Sequence, residues 1–120
     1  MTKKVVTLII TLMLSINIFA NERSDTAWQM VKEGALVIDV RTDQEYVSGH
    51  LEDAILIPHP RVVDLFAKLE IRKDRRVVLY CRSGNRAGIA EAALRKAGYT
   101  RLFNGGGYTT LINDKPPSQQ

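Results

Sequence analysis

Apolar positions in this chain fall into two kinds of run. Leu36 to Val40, Ala54 to Ile57 and Val77 to Cys81 are short and nearly unbroken, which suits strands buried on both faces of a parallel sheet. Between them the spacing becomes helical. Ala27, Trp28 and Val31 form a partial stripe that predicts a short helix from Thr26 to Glu33, stopped by Gly34. Thr42 followed by Glu45 makes a capping box for one or two turns ended by Gly49. After Pro60, Val62, Val63, Phe66 and Leu69 recur at helical intervals with Leu65 beside them. After Gly84 a run rich in Ala and Leu turns Ala90, Ala93, Leu94 and Ala97 inward and ends at Gly98. Arg101 to Phe103 reads as a last short strand, Gly105 to Gly107 as a loop, and residues 114–120 as a polar, Pro-containing, disordered tail. Strands that alternate with helices need crossovers. The predicted fold class is therefore α/β, a small, mostly parallel sheet with helices on both faces, and its ligand site belongs at the carboxyl ends of the strands.

The first twenty residues stand apart from this pattern. Lys3 and Lys4 precede an apolar run from Val5 to Ile16, and Ile18-Phe19-Ala20 ends on a small residue before Asn21 and Glu22, the layout of a secretory signal peptide. The expectation is cleavage after Ala20, a periplasmic product, and one domain over residues 21–113. An uncleaved anchor is the competing reading, but the apolar run falls short of the roughly 20 residues that span a bilayer, and no stable membrane anchor is expected after cleavage. Charge changes the picture little. The chain carries 17 Lys and Arg against 13 Asp and Glu. Losing Lys3 and Lys4 leaves 15 against 13, a net charge of +2. With no long basic run interleaved with aromatics, nucleic acid is not an expected partner.

The chemistry concentrates at Tyr80-Cys81-Arg82-Ser83-Gly84-Asn85-Arg86, which holds the only cysteine. A thiol at a strand-to-helix turn faces backbone N–H groups and the positive end of the following helix, and Arg82 and Arg86 add to that field. Such a setting favours the thiolate, the nucleophilic form. A buried core cysteine is the plainer alternative, but it leaves the surrounding Arg, Ser and Gly residues without a reason. A single cysteine forms no internal disulfide. One Cys and two separated His, His50 and His59, show no metal-ligand spacing, and neither His is spaced as a partner base for Cys81.

Around that loop the chain has Val37-Ile38-Asp39-Val40-Arg41, Glu45-Tyr46, Gly49-His50-Leu51, Ala54, Ile57-Pro58 and Gly106-Gly107, in that order. The series resembles the rhodanese-type sulfurtransferases from about Leu36 to Leu111, and the signal-plus-one-domain layout is similar to their exported, phage-shock-type members. The resemblance implies that Cys81 is the catalytic nucleophile. It would take sulfur as a persulfide from an anionic donor such as thiosulfate and yield it to cyanide or a thiol. Arg82, Ser83, Gly84, Asn85 and Arg86 would form the substrate-binding cradle, with Arg82 and Arg86 orienting the donor's sulfonate. Asp39, Arg41 and His50 would be structural supports, and no metal or cofactor would be needed. Two positions depart from the family pattern. Asp53 stands where Gly is common and must tolerate positive φ, and Leu111 replaces an aromatic residue. Cysteine phosphatases and arsenate reductases use a similar cradle, but phosphatase loops place five residues between Cys and Arg, and here four intervene. The other alternative is a sulfur carrier or binding module that does not turn over.

Overall fold

The computed structural model describes residues 22–119; the expected export signal at residues 1–20 lies outside them. An α/β order runs through the chain: α1 (residues 22–32), β1 (Leu36–Asp39), α2 (Asp43–Ser48), β2 (Ile55–Leu56), α3 (Val62–Lys68), β3 (Val77–Cys81), α4 (Asn85–Lys96), β4 (Leu102–Gly107) and α5 (Tyr108–Asn113). The four strands form one sheet in the order β2-β1-β3-β4, with every pairing parallel. β3 is central, and all five of its residues are buried.

Strand periodicity sorts the core into two layers. Val77, Leu79 and Cys81 of β3, with Ile38 of β1, face Val62 and Phe66 of α3 and Ala87, Ala90 and Leu94 of α4. Val78 and Tyr80, with Val37, face Ala27 and Trp28 of α1 and Leu111 of α5. Trp28 is a core residue. Its Nε1 donates to the Leu111 carbonyl at 2.9 Å and ties the first helix to the last.

The elements follow local chemistry where that chemistry is strong. α2 has the complete capping box, with Thr42 Oγ1 accepting from Glu45 N–H and the Glu45 carboxylate accepting from Thr42 N–H. Asp53 has φ of 64°, as its place in the turn before β2 requires. The last strand differs from expectation. Gly105 to Gly107 belong to β4, which inserts one extra residue between the pairs Leu79–Asn104 and Cys81–Gly107. This bulge, with Gly106 at φ of 92°, bends the strand end toward the Cys81 loop. α5 follows at once. Past it, Pro117–Gln119 form a short 3-10 turn within the segment expected to be a disordered tail.

Candidate active site

Cys81 is the last residue of β3 and is fully buried, so its sulfur lies at the carboxyl end of the sheet. Arg82 and Ser83 are exposed, and Gly84 is buried in the left-handed region with φ of 96°. That backbone turn brings Gly84 N–H to 2.9 Å from Cys81 Sγ. Gly84 also occupies the N-cap of α4, and no side chain caps this helix. The amides of its first turn, beginning at Asn85 and Arg86, therefore open toward the sulfur's end of the sheet without a protein side chain to satisfy them.

The loop is held from outside by β4. Asn104 Nδ2 donates to the Gly84 carbonyl at 2.8 Å, and Asn104 Oδ1 accepts from Gly106 N–H at 2.9 Å. Gly107 makes the closest approach, since a β-carbon there would lie 2.5 Å from the Arg82 carbonyl oxygen. Any other residue would push the loop away. Asn104 was not among the expected site residues; its only sequence signal is an amide placed directly before the glycine run.

Arg86 has a definite partner. Its Nη1 and Nη2 donate to the two carboxylate oxygens of Glu45 at 2.6 and 2.9 Å, a fork-to-fork pair that joins α4 to α2. The Arg86 hydrogen bond holds the Glu45 carboxyl down at about 2, and in return the pair raises the Arg86 guanidinium above its ordinary value. Arg86 thus braces the loop against α2, a contact its position beside Cys81 did not predict. Glu45 serves both the capping box and this brace.

A second network lies under the loop. Asp39 and Arg41 are buried and paired, with Arg41 Nη2 2.7 Å from Asp39 Oδ2 and Nε 2.9 Å from Oδ1. Arg41 also donates to the Gly49 carbonyl at 2.6 Å. Burial opposes its charge, yet the Asp39 carboxylate outweighs burial and keeps the guanidinium above its ordinary value. Tyr80 Oη donates to Asp39 Oδ2 at 2.7 Å and accepts from Leu51 N–H at 3.0 Å. Burial, and then the Asp39 carboxylate, raise the Tyr80 phenol well above its usual range. The residue before Cys81 is thereby fixed to β1 and to the Gly49–Leu51 turn. His50 lies in that turn with an exposed ring. It stacks on Tyr46 at 3.7 Å, and its Nδ1 is 2.9 Å from the Tyr46 carbonyl, which can only accept. Among the described residues neither histidine hydrogen-bonds to the sulfur, and no group of three His, Cys, Asp or Glu is placed to hold a metal ion.

Fold and site together define a class: a parallel α/β domain that presents one buried thiol at the uncapped start of a helix. The rhodanese-like domain model matches residues 24–111, and the chain belongs to that family. A sulfurtransferase of Allochromatium vinosum is 42% identical over 72 residues, covering 60% of this chain and 65% of that protein. The Escherichia coli thiosulfate sulfurtransferase PspE is 35% identical over 78 residues, covering 65% of this chain and 75% of its own. A solved Escherichia coli rhodanese with anions superposes with a TM-score of 0.61 at 34% identity, over 64% of this chain and 91% of that one. The chain spans just under two thirds of the length of the Allochromatium vinosum protein.

Proposed function

We propose that this protein is a thiosulfate:thiol or thiosulfate:cyanide sulfurtransferase that works through a persulfide on Cys81. The observation that carries this reading is the Gly84 N–H held 2.9 Å from a fully buried Cys81 sulfur at the open start of α4. In the first half-reaction the Cys81 thiolate attacks the outer sulfur of thiosulfate. A new S–S bond forms at Cys81, the donor's own S–S bond breaks, and sulfite leaves with the electron pair. In the second, cyanide or a thiolate attacks the outer sulfur, departs as thiocyanate or a new persulfide, and regenerates the Cys81 thiolate. This is two-step nucleophilic catalysis, with backbone donors stabilising charge on sulfur.

The test is intact mass after incubation with thiosulfate, followed by turnover with cyanide. Parent protein is expected to gain one sulfur atom and release thiocyanate over many cycles, whereas Cys81→Ser gains none and does not turn over. Single loading without turnover would make the protein a carrier, and turnover by Cys81→Ser would remove the thiol from the mechanism.

The same reading includes export. Lys3, Lys4 and the apolar run from Val5 to Ile16 support a cleaved leader and a periplasmic site of action. Among the described residues no helix is long and apolar enough to cross a membrane. N-terminal sequencing of the protein expressed with its native start is expected to begin near Asn21; a soluble cytoplasmic product beginning at Met1 would overturn this.

A further inference from the structure

The arginines around the Cys81 loop divide into two kinds. Arg41 is locked to Asp39 and the Gly49 carbonyl, and Arg86 to Glu45. Arg82 and Arg23 are exposed, and among the described residues neither has a hydrogen-bonding or ion-pairing partner. Arg23 comes from α1, remote from the loop in sequence, yet its side chain lies along the loop's outer wall. A β-carbon on Gly84 would meet Arg23 Nη1 at 2.8 Å, and one on Gly106 would meet Arg23 Cδ at 3.0 Å and Nη1 at 3.2 Å. The two glycines leave the space that this side chain fills.

Gly84 is also the residue whose N–H reaches Cys81 Sγ. Chain geometry therefore holds the Arg23 guanidinium within about 9 Å of the sulfur, which is about one Debye length in physiological salt. Glu22 and Glu91 line the same cleft as Arg23, but neither comes within ion-pairing distance of it. Glu91 is paired with Arg95, and the Arg23 guanidinium has no direct ion-pair partner among the described residues.

We propose that Arg23 is a specificity residue for the Cys81 site, a standing positive charge on the loop's outer wall that draws anionic sulfur donors to the thiol, while Arg86 serves as the brace. The proposal rests on Cys81 being the sulfur-transferring thiol. Its test is chosen to stand without that reading. The alkylation rate of Cys81 is measured with iodoacetate, an anion, and iodoacetamide, its neutral counterpart, in purified parent, Arg23→Ala, Arg23→Glu and Arg23→Lys proteins.

In a water-like dielectric at low ionic strength, about 0.01 M, a unit charge at this distance changes the encounter of a monoanion by about twofold, and the rates are compared in that buffer. The iodoacetate-to-iodoacetamide ratio is expected to fall about twofold in Arg23→Ala and about fourfold in Arg23→Glu. It should hold in Arg23→Lys, and the differences should vanish in 1 M salt. For thiosulfate, a dianion, Arg23→Ala should lower kcat/KM about fourfold with kcat unchanged. An unchanged alkylation ratio in Arg23→Glu would overturn the proposal even with thiosulfate turnover intact. A ratio that falls in protein lacking thiosulfate turnover would keep Arg23 as an anion-recruiting residue and would overturn the choice of donor instead.

Discussion

Asn104 has both ends of its amide engaged, one on the Gly84 carbonyl and one on Gly106 N–H. Among the described residues it is the one side chain that hydrogen-bonds both to the Cys81 loop and to the bulge of β4. Replacing it with Ala leaves a part-buried carbonyl and a part-buried N–H without partners, at a cost of about 1–3 kcal/mol. In a domain of this size that corresponds to a fall in Tm of roughly 5–15 °C. The change also reaches function, because Gly84 is the residue that aims its N–H at sulfur. Persulfide formation by Asn104→Ala, followed by mass in the folded protein well below its own Tm, is expected to slow by at least about tenfold, since misplacement by a fraction of an ångström disturbs an aligned donor. Unchanged loading in Asn104→Ala would show that the loop keeps its shape without this tie.

At the scale of elements, legibility depended on whether local chemistry and tertiary packing agreed. β3 and α4 were legible because five consecutive residues of the strand are buried and the helix buries Ala87, Ala90 and Leu94, spaced three and four apart, on one face. The capping box of α2 was legible for the same reason, its partners lying three residues apart. The end of β4 was not, because Gly105 to Gly107 have low strand propensity and are held in register only by pairing with β3 and by Asn104. α5 was also hidden. Tyr108-Thr109-Thr110-Leu111 is a weak helix former, and the helix persists because Leu111 is buried and its carbonyl accepts from Trp28. The site divides in the same way. Cys81 and its loop were legible as a contiguous motif, while the Arg86 pairing with Glu45 and the position of Arg23 arise from contacts distant in sequence and leave no local pattern.

At the scale of the whole molecule, the Glu45–Arg86 pair makes the stability of the fold depend on pH. The pair joins α2, which follows β1, to α4, which follows β3, and so spans two crossovers of the sheet. The Arg86 hydrogen bond lowers the folded-state Glu45 carboxyl to about 2, well below the ordinary value of 4.5. A depressed carboxyl contributes stability above the unfolded value and loses it as pH falls through the folded one. The contribution is therefore complete at pH 7, declines from about pH 5, and is lost as the pH falls through about 2. Glu45 and Arg86 are each about one quarter exposed, so solvent screening keeps the gain on the order of 1 kcal/mol. Glu45→Gln removes the charge, while its amide oxygen can still accept for the capping box. Urea midpoints of parent and Glu45→Gln at pH 7, 5, 4 and 3 are expected to show the parent ahead at neutrality and the gap closing as the pH falls. Molar salt should shrink the neutral-pH gap only in part, because a partly buried pair is screened less than an exposed one. A gap that stays constant down to pH 3 would mean that the lost stability comes from the packing of the Glu45 side chain rather than from its charge, and the coupling of α2 to α4 would then be steric.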